Sequence, residues 1–95
     1  MADDAILPYL LTLSHPTLFT RDLGLAERAF CHARYCLIIL AVGQYEVAHF
    51  ARRLLRHHSF NTHAKRTGRV IRVMPTGLAV WHLSTADEVR VLWPD

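Results

Sequence analysis

Seven of the eleven Lys and Arg residues, Arg52, Arg53, Arg56, Lys65, Arg66, Arg69 and Arg72, fall between positions 52 and 72, and no Asp or Glu occurs between Glu46 and Asp87. Cations massed without carboxylates suit one chemistry best. They neutralise a phosphate polymer, where each engaged phosphate releases counterions and adds affinity that is indifferent to base sequence. His49 sits among these cations at helical spacing and joins them as a candidate contact. The competing readings are a solvated surface and a docking face for an acidic protein.

Other chemistries find less support. Seven histidines invite a metal, and Cys31, Cys36 and His49 reproduce the opening intervals of a two-cysteine, two-histidine zinc finger, with four and then twelve residues between them. His57 comes too late to be the fourth ligand, so no metal is expected. Ser14 beside His15, and Ser84 near His82 and Asp87, lie in no recognisable nucleophile context. Gly24, Gly43, Gly68 and Gly77 are too dispersed for a phosphate loop or a dinucleotide fingerprint, so no cofactor is implied.

The 95 residues suffice for a single domain, and 52% of them are hydrophobic, spread from Ile6 to Trp93. The longest uncharged stretches, 5–20 and 35–45, are broken by Pro8 and Pro16 or too short to span a bilayer. Asp3 and Asp4 stand where a secretory leader carries Lys or Arg, and the expected compartment is the cytoplasm. Cys31 and Cys36, five apart in a region read as helical, point to different faces and are expected to stay reduced.

The elements that must position the cations follow from periodicity. Apolar residues from Asp4 to Leu13 predict a short first helix, stopped by Ser14, His15 and Pro16. Thr20 to Gly43 reads as a second helix whose apolar part, Cys36 to Val42, would be the buried one. Gln44 to His58 predicts a third helix, with Val47, Phe50, Ala51, Leu54 and His58 inward and Tyr45, His49, Arg52, Arg53 and Arg56 on the opposite face. Ser59 to Gly68 reads as a loop. Beyond it the period changes to two. Arg69 to Met74 and Leu78 to Leu83 flank Pro75, Thr76 and Gly77 as a hairpin, and Glu88 to Trp93 reads as a third strand. The expected fold is α+β, with three N-terminal helices followed by a C-terminal β-hairpin or three-stranded antiparallel meander.

That order, with a basic third helix and a hairpin at Arg69 to Leu83, resembles in layout the winged-helix and helix-turn-helix DNA-binding domains. The resemblance implies a DNA-binding transcriptional regulator, not an enzyme, with DNA preferred to RNA as partner. His49, Arg52, Arg53 and Arg56 would then face the major groove, and Lys65, Arg66, Arg69 and Arg72 would serve the wing and phosphates. Phe19 to Phe30, with Gly24 in its middle, offers a competing helix-turn-helix that would place the reading helix from Leu25 onward.

Size, basicity and the tail from Arg69 to Trp93 also resemble small ribonuclease toxins of the RelE and ParE type. For these the candidates would be Lys65, Arg66, Arg72, His82 and Arg90. A third reading is a protein-docking module or inhibitor using Trp81, Leu92 and Trp93, although both tryptophans equally suit a sheet anchored onto its helices. An unpaired last strand would allow a homodimer.

Overall fold

The apolar run from Cys36 to Leu40 decides the architecture. In the computed structural model, which describes residue 12 and residues 16–26, 28–83 and 87–93, this run is a strand with all five side chains buried. It is β2 of a five-stranded sheet ordered β1-β2-β3-β4-β5, with β1 at Thr17–Thr20, β3 at Arg69–Met74, β4 at Gly77–His82 and β5 at Val89–Leu92. β1, β2 and β3 run parallel, and β4 and β5 complete the sheet in antiparallel fashion. The longest helix, α1 at Val47–Leu55, follows the first two strands; a single turn, α2 at His63–Arg66, precedes β3.

The expectation of three N-terminal helices followed by a hairpin is therefore overturned. Most of the expected first helix, 4–13, lies outside the described residues. The expected second helix is β1's last residue, two 3₁₀ turns at Leu23–Leu25 and Arg28–Phe30, and β2. A short run that is apolar on every side fits a buried helix turn and a doubly buried strand equally well, and partners elsewhere in the chain decide between them. Here the partners are strands: Ile38 and Ile39 lie level with Phe19 and Thr20 on one side and with Ile71 and Arg72 on the other.

Alternation along β2 sends side chains into two cores. On one face Cys36, Ile38 and Leu40 pack with Ile71, Val73, Leu78 and Val80 beneath Phe50 and Leu54 of α1. On the other, Leu37, Ile39 and Val70 pack with Leu25, Cys31 and Tyr35 from the connection between β1 and β2. The two connections step the same way across the sheet yet cover opposite faces, so they have opposite hands, and one runs against the usual right-handed preference.

α1 forms where the three-and-four spacing placed a helix, after a 3₁₀ turn at Gln44–Glu46, and Arg52 and Arg53 in its last turn suit its negative end. β3 and β4 pair from Arg69↔His82 to Met74↔Gly77, leaving Pro75 and Thr76 as the turn. Gly77 is required there, because a Cβ would lie 2.8 Å from the carbonyl oxygen of Val91. Gly68, with φ 89°, donates its N–H to the Tyr35 carbonyl at 2.9 Å and so starts β3 beside β2. Trp93 anchors β5 by packing on the α1 side and donating Nε1 to the Met74 carbonyl at 2.8 Å, while Trp81 packs into the other core. Among the described residues, no helix is long and apolar enough to cross a membrane.

Cys31 and Cys36 are both buried, and no disulfide joins them. Burial pushes the Cys36 thiol up to about 12, against the opposing charges of Arg66 and Arg69. Alkylation followed by mass spectrometry at pH 8 is therefore expected to leave Cys36 unmodified in the folded protein and to modify it fully in denaturant. Rapid labelling of Cys36 without denaturant would show that β2 is not sealed.

Candidate phosphate-binding surface

α1 places its cations by the same periodicity that buries Phe50 and Leu54. At about 100° per residue, Arg52 falls opposite the buried pair, with Arg56 and then His49 toward one side of it, and all three are exposed. Arg52 and Arg56, four apart, stand about 6 Å from each other on the helix surface. Tyr45, 93% exposed, lies just before the row.

Arg53 leaves this row. It sits on the flank beside Phe50, is half-buried, and lays its guanidinium over the Trp93 ring at 4.5 Å. Its charge staples the end of β5 to the helix.

The polar segment from Ser59 to Gly68, expected to be a loop, contains α2, capped by Thr62, whose Oγ1 accepts from the Lys65 N–H at 3.2 Å. Lys65 curls back, its Nζ donating to the His58 carbonyl at 2.6 Å and to Asn61 Oδ1 at 3.1 Å. Arg69 in turn donates to the Lys65 carbonyl. Arg56, His58 and Lys65 are thus exposed in this stretch and Arg69 is half-buried.

Arg66 is not part of that surface. It is 6% exposed and donates NH1 to the Phe60 carbonyl at 2.8 Å and Nε to Thr17 Oγ1 at 3.3 Å, pinning α2 to the first strand. Arg72 is equally removed, because alternation along β3 turns it to the face opposite α1, level with Ile39 and Ala79. Of the eight residues singled out in the sequence, the structure leaves His49, Arg52, Arg56 and Lys65 exposed and Arg69 half-buried on the α1 face, assigns Arg53 and Arg66 to packing, and turns Arg72 to the opposite face.

The winged-helix arrangement does not survive this placement. The hairpin expected to be a wing is held between β2 and β5 as the interior of the sheet. The ribonuclease candidates do not converge either: His82 projects on the α1 face, Arg72 and Arg90 on the opposite face, and Arg90 pairs with Glu88 at 3.2 Å. On the α1 face, Arg69 and His82 meet Ser59, Phe60, Val80, Val89 and Val91 around a cleft of about 330 Å³. Among the described residues, no group of three His, Cys, Asp or Glu side chains gathers to hold a metal.

His57 borders this surface from within. It is 3% exposed between Phe60 and Trp93, its Nδ1 accepts from the Ser59 N–H at 3.1 Å, and its Nε2 has no partner in hydrogen-bonding geometry. Burial lowers its pKa first and the adjacent His58 second, with the nearby Leu92 carbonyl opposing in part. An acceptor Nδ1 requires the neutral ring, and the expected inward residue of the helix end is thus His57 in place of His58, which is exposed.

Two expectations follow. Arg66→Ala strands the Phe60 carbonyl in a buried site and should lower stability in urea unfolding by about 1–3 kcal/mol, whereas Arg52→Ala should stay within about 0.5 kcal/mol. Equal losses would refute the division between packing and surface cations. Because the folded state disfavours protonated His57, its contribution is complete above the ordinary histidine value of 6.5 and is lost as pH falls through that value toward the lowered one. Wild type should therefore lose thermal stability between pH 7.5 and 5.5 more steeply than His57→Leu, and parallel curves would exclude His57 as the source.

Comparison with known proteins adds no relative to this geometry: no family model, no curated protein and no solved structure matches the chain.

Proposed function

We propose that the protein binds nucleic acid through its phosphate backbone, with His49, Arg52 and Arg56 on the outer face of α1 and Lys65 and Arg69 beyond its end as the contacts. The observation that carries this reading is the outward row on α1, which holds two guanidiniums one helical turn apart in a stretch of chain without carboxylates from 47 to 86. Exposed cations with no acidic neighbour to pair with remain available to phosphates, and their field also speeds encounter with a polyanion.

The contacts are of the positioning kind, so the reading entails affinity for duplex or single strand without strong base preference. A regulatory role is consistent with a binding surface of this kind, and DNA remains the first polymer to try. Tyr45, exposed beside the row, supplies a ring on which an unstacked base would rest.

The test is fluorescence anisotropy with labelled duplex DNA and single-stranded RNA over a potassium chloride series, for wild type and the Arg52→Ala, Arg56→Ala double variant. Each phosphate contact contributes about 0.9 to the slope of log affinity against log salt on duplex, so the double variant should show a slope smaller by about 1–2. Absence of binding to both polymers at low salt, or an unchanged slope, would overturn the proposal and leave an acidic protein as the partner to seek.

A further inference from the structure

The far end of the sheet holds a second arginine site, unrelated to the α1 surface. Because β1, β2 and β3 are parallel, their last residues, Thr20, Leu40 and Met74, leave the sheet on one edge. Here the chain segments leaving the three strands border an open cleft of about 430 Å³, lined by Leu23, Leu40, Val42, Gly43 and Pro75, with Arg21 and Arg72 as its charged lining.

The two arginines are held differently. Arg21 reaches across the mouth and donates NH2 to the Val42 carbonyl at 3.1 Å, which fixes the guanidinium while using one of its five N–H donors. Arg72 rises from β3, and its Nε is buried without any hydrogen-bond partner. The comparison with Arg66 is instructive. That buried guanidinium has the Phe60 carbonyl and Thr17 hydroxyl as acceptors, so this fold supplies partners where an arginine is purely structural.

Among the described residues, no carboxylate lines the cleft. Asp22, next to Arg21, accepts from the Gly24 N–H at 3.0 Å, and the Glu46 carboxylate rests against Gly43 without lining the cleft. Among the described residues the one salt bridge is Arg90 with Glu88, on β5 and just before it. A guanidinium donor removed from water without an acceptor costs free energy that an anion would recover, and apolar walls strengthen that attraction. Two guanidiniums match a dianion with several oxygens better than a single carboxylate, and their planar forks suit phosphate oxygens in pairs.

We propose that the cleft between Arg21 and Arg72 binds a phosphate-class dianion, either free phosphate or the terminal group of a small phosphomonoester. The site stands apart from the nucleic-acid reading: Arg72 projects from the face opposite α1, and neither arginine belongs to the outward row.

Isothermal titration calorimetry at pH 7.5 and constant ionic strength tests it, with inorganic phosphate, glycerol 1-phosphate and acetate as probes. Saturable binding of phosphate at one site is expected, weakened at least tenfold by Arg72→Met, weakened by Arg21→Ala and unchanged by Arg34→Ala, an exposed arginine elsewhere. Binding of glycerol 1-phosphate as well assigns a phosphomonoester; phosphate alone assigns the free ion. Met follows the aliphatic path of Arg72 and removes the unpartnered charge, so circular dichroism should show a folded variant with a Tm no lower than wild type. Should that variant fail to fold, Arg21→Ala, at the exposed mouth, decides. Lack of saturable phosphate binding, acetate binding as tight as phosphate, or full binding by Arg21→Ala or folded Arg72→Met overturns the proposal.

Discussion

Everything in this fold depends on sealing β2 from both sides. Leu37, Ile38, Ile39 and Leu40 are almost wholly removed from water, and at roughly 1.5–3 kcal/mol for each such side chain their burial amounts to on the order of 10 kcal/mol, comparable with the net stability of an ordinary domain. A strand like this needs a neighbour along each edge and a cover over each face. β1 and β3 are the neighbours; α1 covers one face, and the 3₁₀ turns from Leu23 to Phe30 cover the other. The opposite hands of the two crossovers follow from this demand, since one cover on each face cannot be reached by two connections of the same hand stepping in the same direction. A helix is not needed on the second face, because Leu25, Cys31 and Tyr35 fill the space and the Tyr35 hydroxyl ties the turns together by donating to the Phe30 carbonyl at 2.8 Å.

The scarcity of carboxylates shapes how the arginines are used. With none available between Glu46 and Asp87, the interior arginines resort to carbonyl oxygens and aromatic faces: Arg66 to Phe60, Arg69 to Lys65, Arg53 to Trp93. These partners are neutral, so the charge itself is not cancelled. The packed arginines therefore still add to the positive field of the surface that Arg52 and Arg56 present to solvent, even though they touch no ligand.

What the sequence disclosed was what local period could carry. Phe50 and Leu54 at four-residue spacing announce α1, and the β-like runs Arg69 to Met74 and Leu78 to Leu83 on either side of the turn at Pro75, Thr76 and Gly77 announce β3 and β4. β2 lacked a period, and its identity as a strand rests on Val70, Ile71 and Val73, some thirty residues further along. Without β2 there is no central strand to pair β1 with β3, so local period alone leads to helices before a meander and not to this mixed sheet. For the surface, composition identified the cations but not their directions. Arg53 differs from Arg52 by one helical step, and only Trp93, forty residues away, decides that it turns inward. Arg21 carried no signal, being isolated in sequence and within the stretch from Thr20 to Gly43 whose spacing predicts a helix; its place emerges only when parallel pairing brings Thr20, Leu40 and Met74 to one edge.

That pairing also gives the molecule two unlike ends. α1 returns from the carboxyl edge of β2 toward the starting edge of β3, so its negative end lies with Arg52, Arg53 and Arg56, where dipole and cations offset one another in part. Its leading turn begins after Gly43, which lines the cleft together with Arg21 and Arg72. There the helix dipole and the two guanidiniums have the same sign, and Glu46 is the acidic group of the first turn. At that end Glu46 and Asp22 offset part of the positive potential, and the apolar side chains lining the cleft screen what remains less than water screens the outer face of α1. Counting cations along the sequence points to one end of this protein, and following the direction of its strands and helix points to the other.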